Sequence, residues 1–289
     1  MDPGRRGFVR VMGAVGGALF AGRGPWWASQ ADEAQPMTLQ QSVARWPFEE
    51  IPLEDFCRGI RTLGLGAIDL LYQDEWPVAA KHGLRCSMGY CSRRRGLIQQ
   101  GWNDLANHDV LIAEVTAALP AAAAAGVPNL IVMSGNRRGQ AVEQGIANCA
   151  AGLRQVAPLA ERHGVTLCME MLNSRVDHTD YDADGTRYGL EVVERVGSPR
   201  FRLLYDIYHM QVMEGDVIHT IREHRAAFAH FHTAGVPGRH ELDERQELNY
   251  RAIAAAIAES GFSGFVAHEF IPTRPPYEGI REAMSACAA

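Results

Sequence analysis

The sequence predicts a single-domain α/β protein, a (β/α)8 TIM barrel, and three observations support that prediction. Apolar runs of strand length recur along the chain, and each is followed by a segment with helical periodicity. Eight such units fit into about 250 residues, which is the number and size expected for this fold. The runs are continuously apolar, as strands buried on both faces should be. The alternative is a doubly wound open sheet, but neither dinucleotide-binding nor P-loop glycine spacing occurs.

The first four units follow one another from residue 39. Their predicted strands are 39–45, 67–71, 84–88 and 129–133. Their predicted helices are 52–63, 74–82, 108–125 and 140–163. Pro52 suits the first turn of its helix and Gly64 suits the end. In the third unit we expect a long polar loop, 89–107, between the strand and the helix.

The last four units complete the predicted barrel. Their strands are 165–171, 201–205, 227–232 and 265–268. Their helices are 187–196, 216–224, 249–260 and 277–287. No second domain or internal repeat is indicated, so residues 36–289 are predicted to form one barrel.

The first 31 residues have the features of a twin-arginine signal peptide. Arg5 and Arg6 precede an uncharged run, 11–22, which is about half the length needed to span a bilayer as a helix. Small residues near 28–31 suit a cleavage site. The alternative is an uncleaved membrane anchor. We expect an exported protein, periplasmic or extracellular, with no stable membrane association after cleavage.

The net charge bears on the class of binding partner, and the cysteine spacing bears on the state of the thiols. The 28 Lys and Arg against 34 Asp and Glu give a net charge of −6, which argues against nucleic acid as a partner. The six cysteines show no disulfide spacing, so we expect buried free thiols rather than pairs. Folding in the cytoplasm before export would keep these thiols reduced.

Ligand-type side chains follow four consecutive strands of the predicted barrel. Glu170, Asp206, His232 and Glu269 stand at the ends of strands five to eight. Functional groups of such a barrel come from this end of the strands. Three buried carboxylates repel one another unless a positive charge lies among them. We therefore expect one divalent cation, Mn²⁺ by ligand chemistry, with Mg²⁺, Co²⁺ or Zn²⁺ as alternatives.

Three motifs resemble the hydroxypyruvate isomerase-like branch of the xylose isomerase-like barrels. They lie at 170–173, 206–211 and 232–239, and His268-Glu269 closes the pattern. The resemblance implies that Glu170, Asp206, His232 and Glu269 bind the metal, that Glu170 and Glu269 are also the catalytic acid/base pair, and that His209 binds substrate. It further implies a homo-oligomer. The named isomerases commonly have glutamine at the position of His232, whereas sugar 3-epimerases of the superfamily have histidine, so both substrate classes stay open.

These residues predict an isomerase or epimerase of a small sugar or hydroxy-carbonyl acid. A metal would stabilise the enediolate that forms when a glutamate removes a proton α to a carbonyl. Returning the proton to the next carbon isomerises the substrate, and returning it to the opposite face of the same carbon epimerises it. The alternatives are a non-catalytic sugar-binding barrel and an endonuclease IV-like phosphodiesterase, which would need more metal ligands and a basic surface.

Further side chains are candidates for contact with the substrate. Arg239 either binds a substrate oxygen or braces its own loop through Glu241 or Asp243. His178, in the loop after strand five, is a second substrate-binding candidate. Trp46 and Trp102 are candidates for apolar walls of the pocket. The run of arginines at 93–95 is either a solvated turn or a phosphate clamp.

Overall fold

Parallel strands alternate with helices through residues 39–288, the part of the chain that the computed structural model describes. The strands are β1 (Gln40–Val43), β2 (Ala67–Ile68), β3 (Arg85–Cys86), β4 (Gly89–Tyr90), β5 (Asn129–Met133), β6 (Thr166–Glu170), β7 (Phe201–Asp206), β8 (Phe228–Thr233) and β9 (Phe265–His268). The helices are α1 (Leu53–Thr62), α2 (Trp76–Lys81), α3 (His108–Ala125), α4 (Val142–His163), α5 (Thr186–Val196), α6 (Ile207–Met213), α7 (Val217–His224), α8 (Tyr250–Glu259) and α9 (Pro276–Ala286). The predicted signal peptide, 1–31, lies outside the described residues.

The strands close into a TIM-barrel-like ring. Seven of them form one parallel sheet in the order β1-β9-β8-β7-β6-β5-β4, and β2 pairs with β3 in a second parallel sheet. Backbone hydrogen bonds join the two sheets on both sides of β2. The amide of Asp69 donates to the carbonyl of Val43 at 2.7 Å, and the amide of Tyr90 donates to the carbonyl of Leu71 at 3.0 Å. Together β3 and β4 therefore occupy the third position of the ring.

A strand lies at each of the eight predicted positions, but the third is interrupted. It breaks after Cys86 and resumes as β4, inside the predicted loop 89–107. The sequence analysis placed Gly89 at the start of that loop. In the structure it lets the indole of Trp76 pack against the strand, since a Cβ at Gly89 would lie 2.8 Å from that ring. The predicted loop boundary was therefore wrong by two residues.

The sequence analysis missed one helix, α6, which begins directly after β7. The side chain of Asp206 accepts a hydrogen bond from the backbone amide of His209 at 3.0 Å and so caps this helix. Because Asp206 was interpreted only as a strand end, its second role as a helix cap was overlooked. The cap fixes the carboxylate of Asp206 at the rim of the barrel.

Helix α3 belongs to the outer layer of the barrel and packs against α4 and β5. Together with the short 3-10 turn before it, the segment Leu105–Ala125 is long and apolar enough to cross a membrane by length and composition. Its Leu111, Val115 and Leu119 are buried in the barrel core. This buried face is the one by which the helix packs on the rest of the barrel.

All six cysteines are free and buried, which confirms the predicted state of the thiols. Burial raises the pKa of Cys57 to about 11 and the pKa values of Cys91, Cys149 and Cys287 to about 12. Thiols with such pKa values stay protonated at neutral pH and are poor nucleophiles. They therefore serve as small apolar side chains of the core.

Candidate metal and catalytic site

The four predicted ligands converge at the C-terminal end of the barrel. Glu170 ends β6, Asp206 ends β7, His232 lies in β8 and Glu269 follows β9. Asp206 and His232 are register partners across β7 and β8, which brings their side chains together at the same height. All four residues are buried, and one donor atom from each lies within 4.8 Å of the others.

The imidazole of His232 faces the three carboxylates with its Nδ1 atom. This atom lies 2.9 Å from Glu269 Oε2, 3.1 Å from Glu170 Oε1 and 3.9 Å from Asp206 Oδ2. Oxygen ligands with one imidazole suit a divalent cation such as Mn²⁺. Three buried carboxylates also need a positive charge among them. The chemistry of these donor atoms therefore fits a bound cation.

Burial and charge shift the pKa values of this cluster in opposite directions. Burial raises the pKa of Glu170 and raises that of Asp206 to about 7. Burial opposes ionisation of Glu269 too, but His232 and Arg239 outweigh it and hold its pKa well below the usual value. Burial would lower the pKa of His232, but Glu269 and its other acidic neighbours raise it well above the usual value. Negative charge is therefore held most firmly on Glu269.

Arg239 is directed at this cluster from the turn after β8. Its backbone is left-handed, with φ 60°, and its side chain is largely buried. The guanidinium Nη2 donates to Glu269 Oε2 at 2.6 Å and lies 3.9 Å from Asp206 Oδ2. Within the described residues, Glu241 and Asp243 pair with other arginines instead. In the part of the chain that it describes, the structure therefore does not contain the salt bridge by which Arg239 would brace its own loop.

Trp46 binds the other oxygen of the same glutamate. It lies in a short 3-10 helix directly after β1, and its indole Nε1 donates to Glu269 Oε1 at 2.5 Å. The Arg239 guanidinium lies 5.1 Å from the centroid of the indole ring. The sequence analysis expected only an apolar wall here and missed the hydrogen bond. Trp102, the second expected wall, is fully buried beside Gly152 and does not line this cavity.

His209 and His178 lie next to each other beside the cluster, with ring centroids 5.3 Å apart. The backbone amide of Asn173 donates to His209 Nδ1 at 3.2 Å, so the proton of the neutral ring lies on Nε2. Burial lowers the pKa of His209 well below its usual value and also lowers that of His178. The Nε2 atoms of both rings are buried without a hydrogen-bond partner among residues 39–288. His178 is available to an incoming molecule because it lines the cavity described next, whereas His209 is fully buried and its Nε2 lies 3.7 Å from Asp206 Oδ2.

A cavity of about 480 Å³ opens onto these groups. Glu170, Glu269, Arg239 and His178 form its polar side. The remaining lining is largely apolar and includes Leu70, Tyr72, Tyr90, Leu97, Ile98, Ile131, Met133 and Leu172. A small polar molecule with carbon-bound hydrogens on one face would match both sides.

The run of three arginines forms part of the cavity rim. Arg93 makes a bidentate contact with Asp74, and Arg94 binds Glu114 at 3.0 Å. Two of the three guanidinium groups are thus already paired with carboxylates. A phosphate bound by all three would therefore compete with these carboxylates for the same guanidinium groups.

Below the cluster lies a carboxylate that the sequence analysis did not single out. Asp69 follows β2, is fully buried, and its Oδ2 lies 2.9 Å from His232 Nε2. His230 Nε2 lies 3.2 Å from the other oxygen. Burial opposes ionisation of Asp69, but the two histidines lower its pKa to about 2. The sequence did contain a signal for this residue, because Asp69 is a carboxylate inside the apolar run of the second predicted strand.

Comparisons with known proteins agree with this architecture. The model of the xylose isomerase-like TIM barrel family matches residues 69–289. The chain is 26% identical over 248 residues to the 2-oxo-tetronate isomerase of Haemophilus influenzae, which covers 81% of this chain and 93% of that protein. It is 31% identical over 139 residues to the hydroxypyruvate isomerase of Escherichia coli, but there the match covers 48% of this chain and 53% of that protein.

A solved structure gives the same fold. The crystal structure described as AP endonuclease, family 2, from Brucella melitensis superimposes with a TM-score of 0.76 at 25% identity. The superposition covers 84% of this chain and 97% of that chain. The similarity thus extends over nearly all of the barrel.

Proposed function

The chain belongs to the xylose isomerase-like TIM barrel family and is an isomerase or epimerase, and from this premise we propose that it acts on a small sugar or hydroxy-carbonyl acid with one divalent cation. The observation that carries the proposal is the convergence of Glu170, Asp206, His232 and Glu269 within 4.8 Å. These four residues would hold the cation, with Mn²⁺ the ion that best suits the ligands. When bound, it supplies Lewis-acid stabilisation of negative charge on substrate oxygens.

Glu269 is proposed as the base that removes the proton α to the carbonyl. Both of its oxygens accept hydrogen bonds, from Trp46 and from Arg239, and such bonds favour the ionised carboxylate. Glu170 has no comparable pair of donors among the residues that the structure describes: its Oε1 lies 3.1 Å from His232 Nδ1, and burial favours its protonated form. Glu170 is therefore proposed as the acid that delivers its own proton to the next carbon or to the opposite face, which leaves Glu269 protonated and Glu170 ionised until exchange with solvent resets both.

Three neighbouring side chains are proposed to orient the substrate. Arg239 carries a fixed positive charge toward the cavity and would bind a carboxylate or hydroxyl oxygen. His209 would donate from Nε2–H to a substrate oxygen, because Asn173 already occupies its Nδ1. His178 lines the cavity and would add a second imidazole contact. The apolar wall would exclude water from the carbanionic carbon.

An endonuclease activity is less well supported by the same residues. Such an enzyme handles a polyanion and benefits from a basic surface, whereas this chain has a net charge of −6. The rim cluster of carboxylates contains one imidazole, that of His232. The small-molecule reaction therefore remains the proposal, and DNA binding that weakens with rising salt would count against it.

Hydrogen–deuterium exchange followed by NMR tests the proposal. Mn²⁺-loaded protein, freed of excess ion, would be incubated in D₂O with ketoses, aldoses, hydroxypyruvate and 2-oxo-tetronate. Exchange α to a carbonyl is expected, and Glu269→Gln and Glu170→Gln should each reduce its rate by about 10²- to 10⁴-fold. Glu223→Gln, an exposed change on α7, is the matched control and should retain full exchange.

Absence of exchange over the whole panel, with metal bound at one equivalent, would contradict the enzymatic proposal. It would favour the non-catalytic sugar-binding barrel. In that event, binding of the same compounds measured by calorimetry would identify the class of ligand.

Export is proposed separately, from the twin-arginine segment at residues 1–31. A fusion of that segment to a fluorescent protein should reach the periplasm when Arg5 and Arg6 are intact. Replacing both arginines with lysine should hold the fusion in the cytoplasm. Equal distribution of the two fusions would contradict export by this route.

A further inference from the structure

Asp69 occupies an unusual place for a carboxylate. It follows the two-residue strand β2 and is fully buried inside the barrel, beneath the predicted ligands. Backbone bonds fix it on the side of β1, because its amide donates to Val43 and its carbonyl accepts from Arg45. A buried carboxylate is costly unless every oxygen has a partner. Its partners therefore indicate what it does.

One oxygen of Asp69 contacts a predicted metal ligand. Oδ2 lies 2.9 Å from Nε2 of His232, whose opposite ring nitrogen, Nδ1, faces the three carboxylates of the site. The other oxygen, Oδ1, accepts from the hydroxyl of Ser87 and faces His230. The two oxygens thus have separate partners, and only one of them touches the site.

The backbone next to Asp69 has an unusual conformation. Leu70 adopts a left-handed conformation with φ 56°, which is rare for a leucine. Such a conformation persists only where surrounding contacts hold it. Leu70 also lines the cavity, so the strained residue lies between the buried carboxylate and the substrate space.

We infer that Asp69 is a positioning residue that fixes the orientation and tautomer of His232, so that Nδ1 presents its lone pair to a divalent cation. The inference rests on the proposed function, since it assumes a cation among the four predicted ligands. With Asp69 Oδ2 accepting a hydrogen bond from Nε2–H, the lone pair of the neutral ring is on Nδ1. Carboxylates that bind the far nitrogen of a ligating histidine also increase its basicity as a ligand.

A second cation bound by Asp69, His230 and His232 is the competing interpretation of the same atoms, since their donor atoms lie within 4.8 Å of one another. It would require His232 to bind through Nε2, at the nitrogen that Asp69 already contacts. The hydrogen-bonded arrangement keeps that contact, and the stoichiometry of metal binding separates the two.

The test measures metal affinity rather than turnover. Full-length Asp69→Asn keeps the shape of the side chain but removes its charge. The amide either presents NH₂ to Nε2, which forces the proton onto Nδ1, or presents a neutral oxygen that accepts more weakly. Ser87→Ala is the matched control, because it removes a bond to Oδ1 and leaves the contact with His232 intact. Titration calorimetry with Mn²⁺ and thermal unfolding of the metal-free proteins would be compared.

Wild type is expected to bind one Mn²⁺, Asp69→Asn to bind it about 10- to 100-fold more weakly, and Ser87→Ala to bind it near the wild-type affinity. In addition, ¹⁵N NMR of the Zn²⁺-loaded wild type should show a hydrogen-bonded proton on His232 Nε2. This measurement needs no variant and decides the question even if Asp69→Asn does not fold.

Wild-type affinity in Asp69→Asn would overturn the inference while leaving the proposed function standing. A second equivalent of Mn²⁺ that disappears in Asp69→Asn would also overturn it, in favour of Asp69 as a metal ligand. If the wild type itself binds no Mn²⁺, the inference and the metal-dependent function fail together.

Discussion

Replacing Trp46 with phenylalanine removes one hydrogen bond of the cavity and little else. The indole Nε1 donates to Glu269 Oε1 at 2.5 Å, and phenylalanine keeps an aromatic ring next to Arg239 but has no donor. Glu269 would retain the bond from Arg239 to its other oxygen. The substitution therefore asks how much the proposed base depends on its second donor.

The expected magnitude follows from the charge on the acceptor. A hydrogen bond to an ionised group contributes about 1.5 to 3 kcal/mol. Since 1.36 kcal/mol corresponds to a tenfold change in rate, complete loss would lower kcat/KM by about 10- to 150-fold. Because Arg239 still orients the carboxylate, we expect a decrease of about 10-fold. Loss of the donor also raises the pKa of Glu269, so the acidic limb of the pH profile should move to higher pH.

The assay is the deuterium-exchange rate of the substrate as a function of pH, in wild type and Trp46→Phe. Trp102→Phe is the control, because Trp102 is equally aromatic and fully buried but does not line the cavity. It should lower the thermal stability and leave the exchange rate unchanged. An unchanged rate and pH profile in Trp46→Phe would refute the view that Trp46 sustains the ionised base.

Two further predictions concern metal and pH. Removal of divalent ions with a chelator should abolish exchange and lower Tm, and Mn²⁺ should restore both, since a ligand at 100 times its Kd stabilises the folded state by about 2.7 kcal/mol; full activity of metal-free protein would contradict this. Buried Glu241 accepts from the amide and hydroxyl of Thr273, each at 2.8 Å, and although burial opposes ionisation these bonds lower its pKa. A carboxyl with a lowered folded-state pKa stabilises the protein above its ordinary pKa, and this contribution is lost as pH falls. Glu241→Gln should therefore lower Tm at pH 7 and reduce the loss of stability on acidification, measured by thermal unfolding from pH 7 to pH 4; an identical pH dependence in both proteins would exclude this role.

The sequence was sufficient to predict the rim of the barrel because parallel strands end at a common edge. Glu170, Asp206, His232 and Glu269 each follow an apolar run, and the fold alone brings their donor atoms together. The centres of the strands were also predictable, since a strand that is buried on both faces is apolar throughout. Both results rest on patterns that are local in the chain.

Contacts between distant segments were not predictable in this way. Trp46 binds a residue 223 positions away, and Asp69 binds one 163 positions away. Each pairing depends on the height of one strand against another, which local periodicity does not determine. For Arg239 the sequence offered partners two to four residues away, but the left-handed turn directs it across the barrel to Glu269. Tertiary geometry decided these cases.

The interrupted third strand has a consequence for how the barrel opens. Between residues 66 and 90 the ring is held by short ladders, β2 with β3 and β4 with β5, where each register covers two residues. The other neighbouring pairs of the seven-stranded sheet are held over four or five residues. Regions with few cross-strand bonds open with the smallest free energy. Amide protons of this sector should therefore exchange first in native-state experiments, and unfolding of the barrel should begin at this seam.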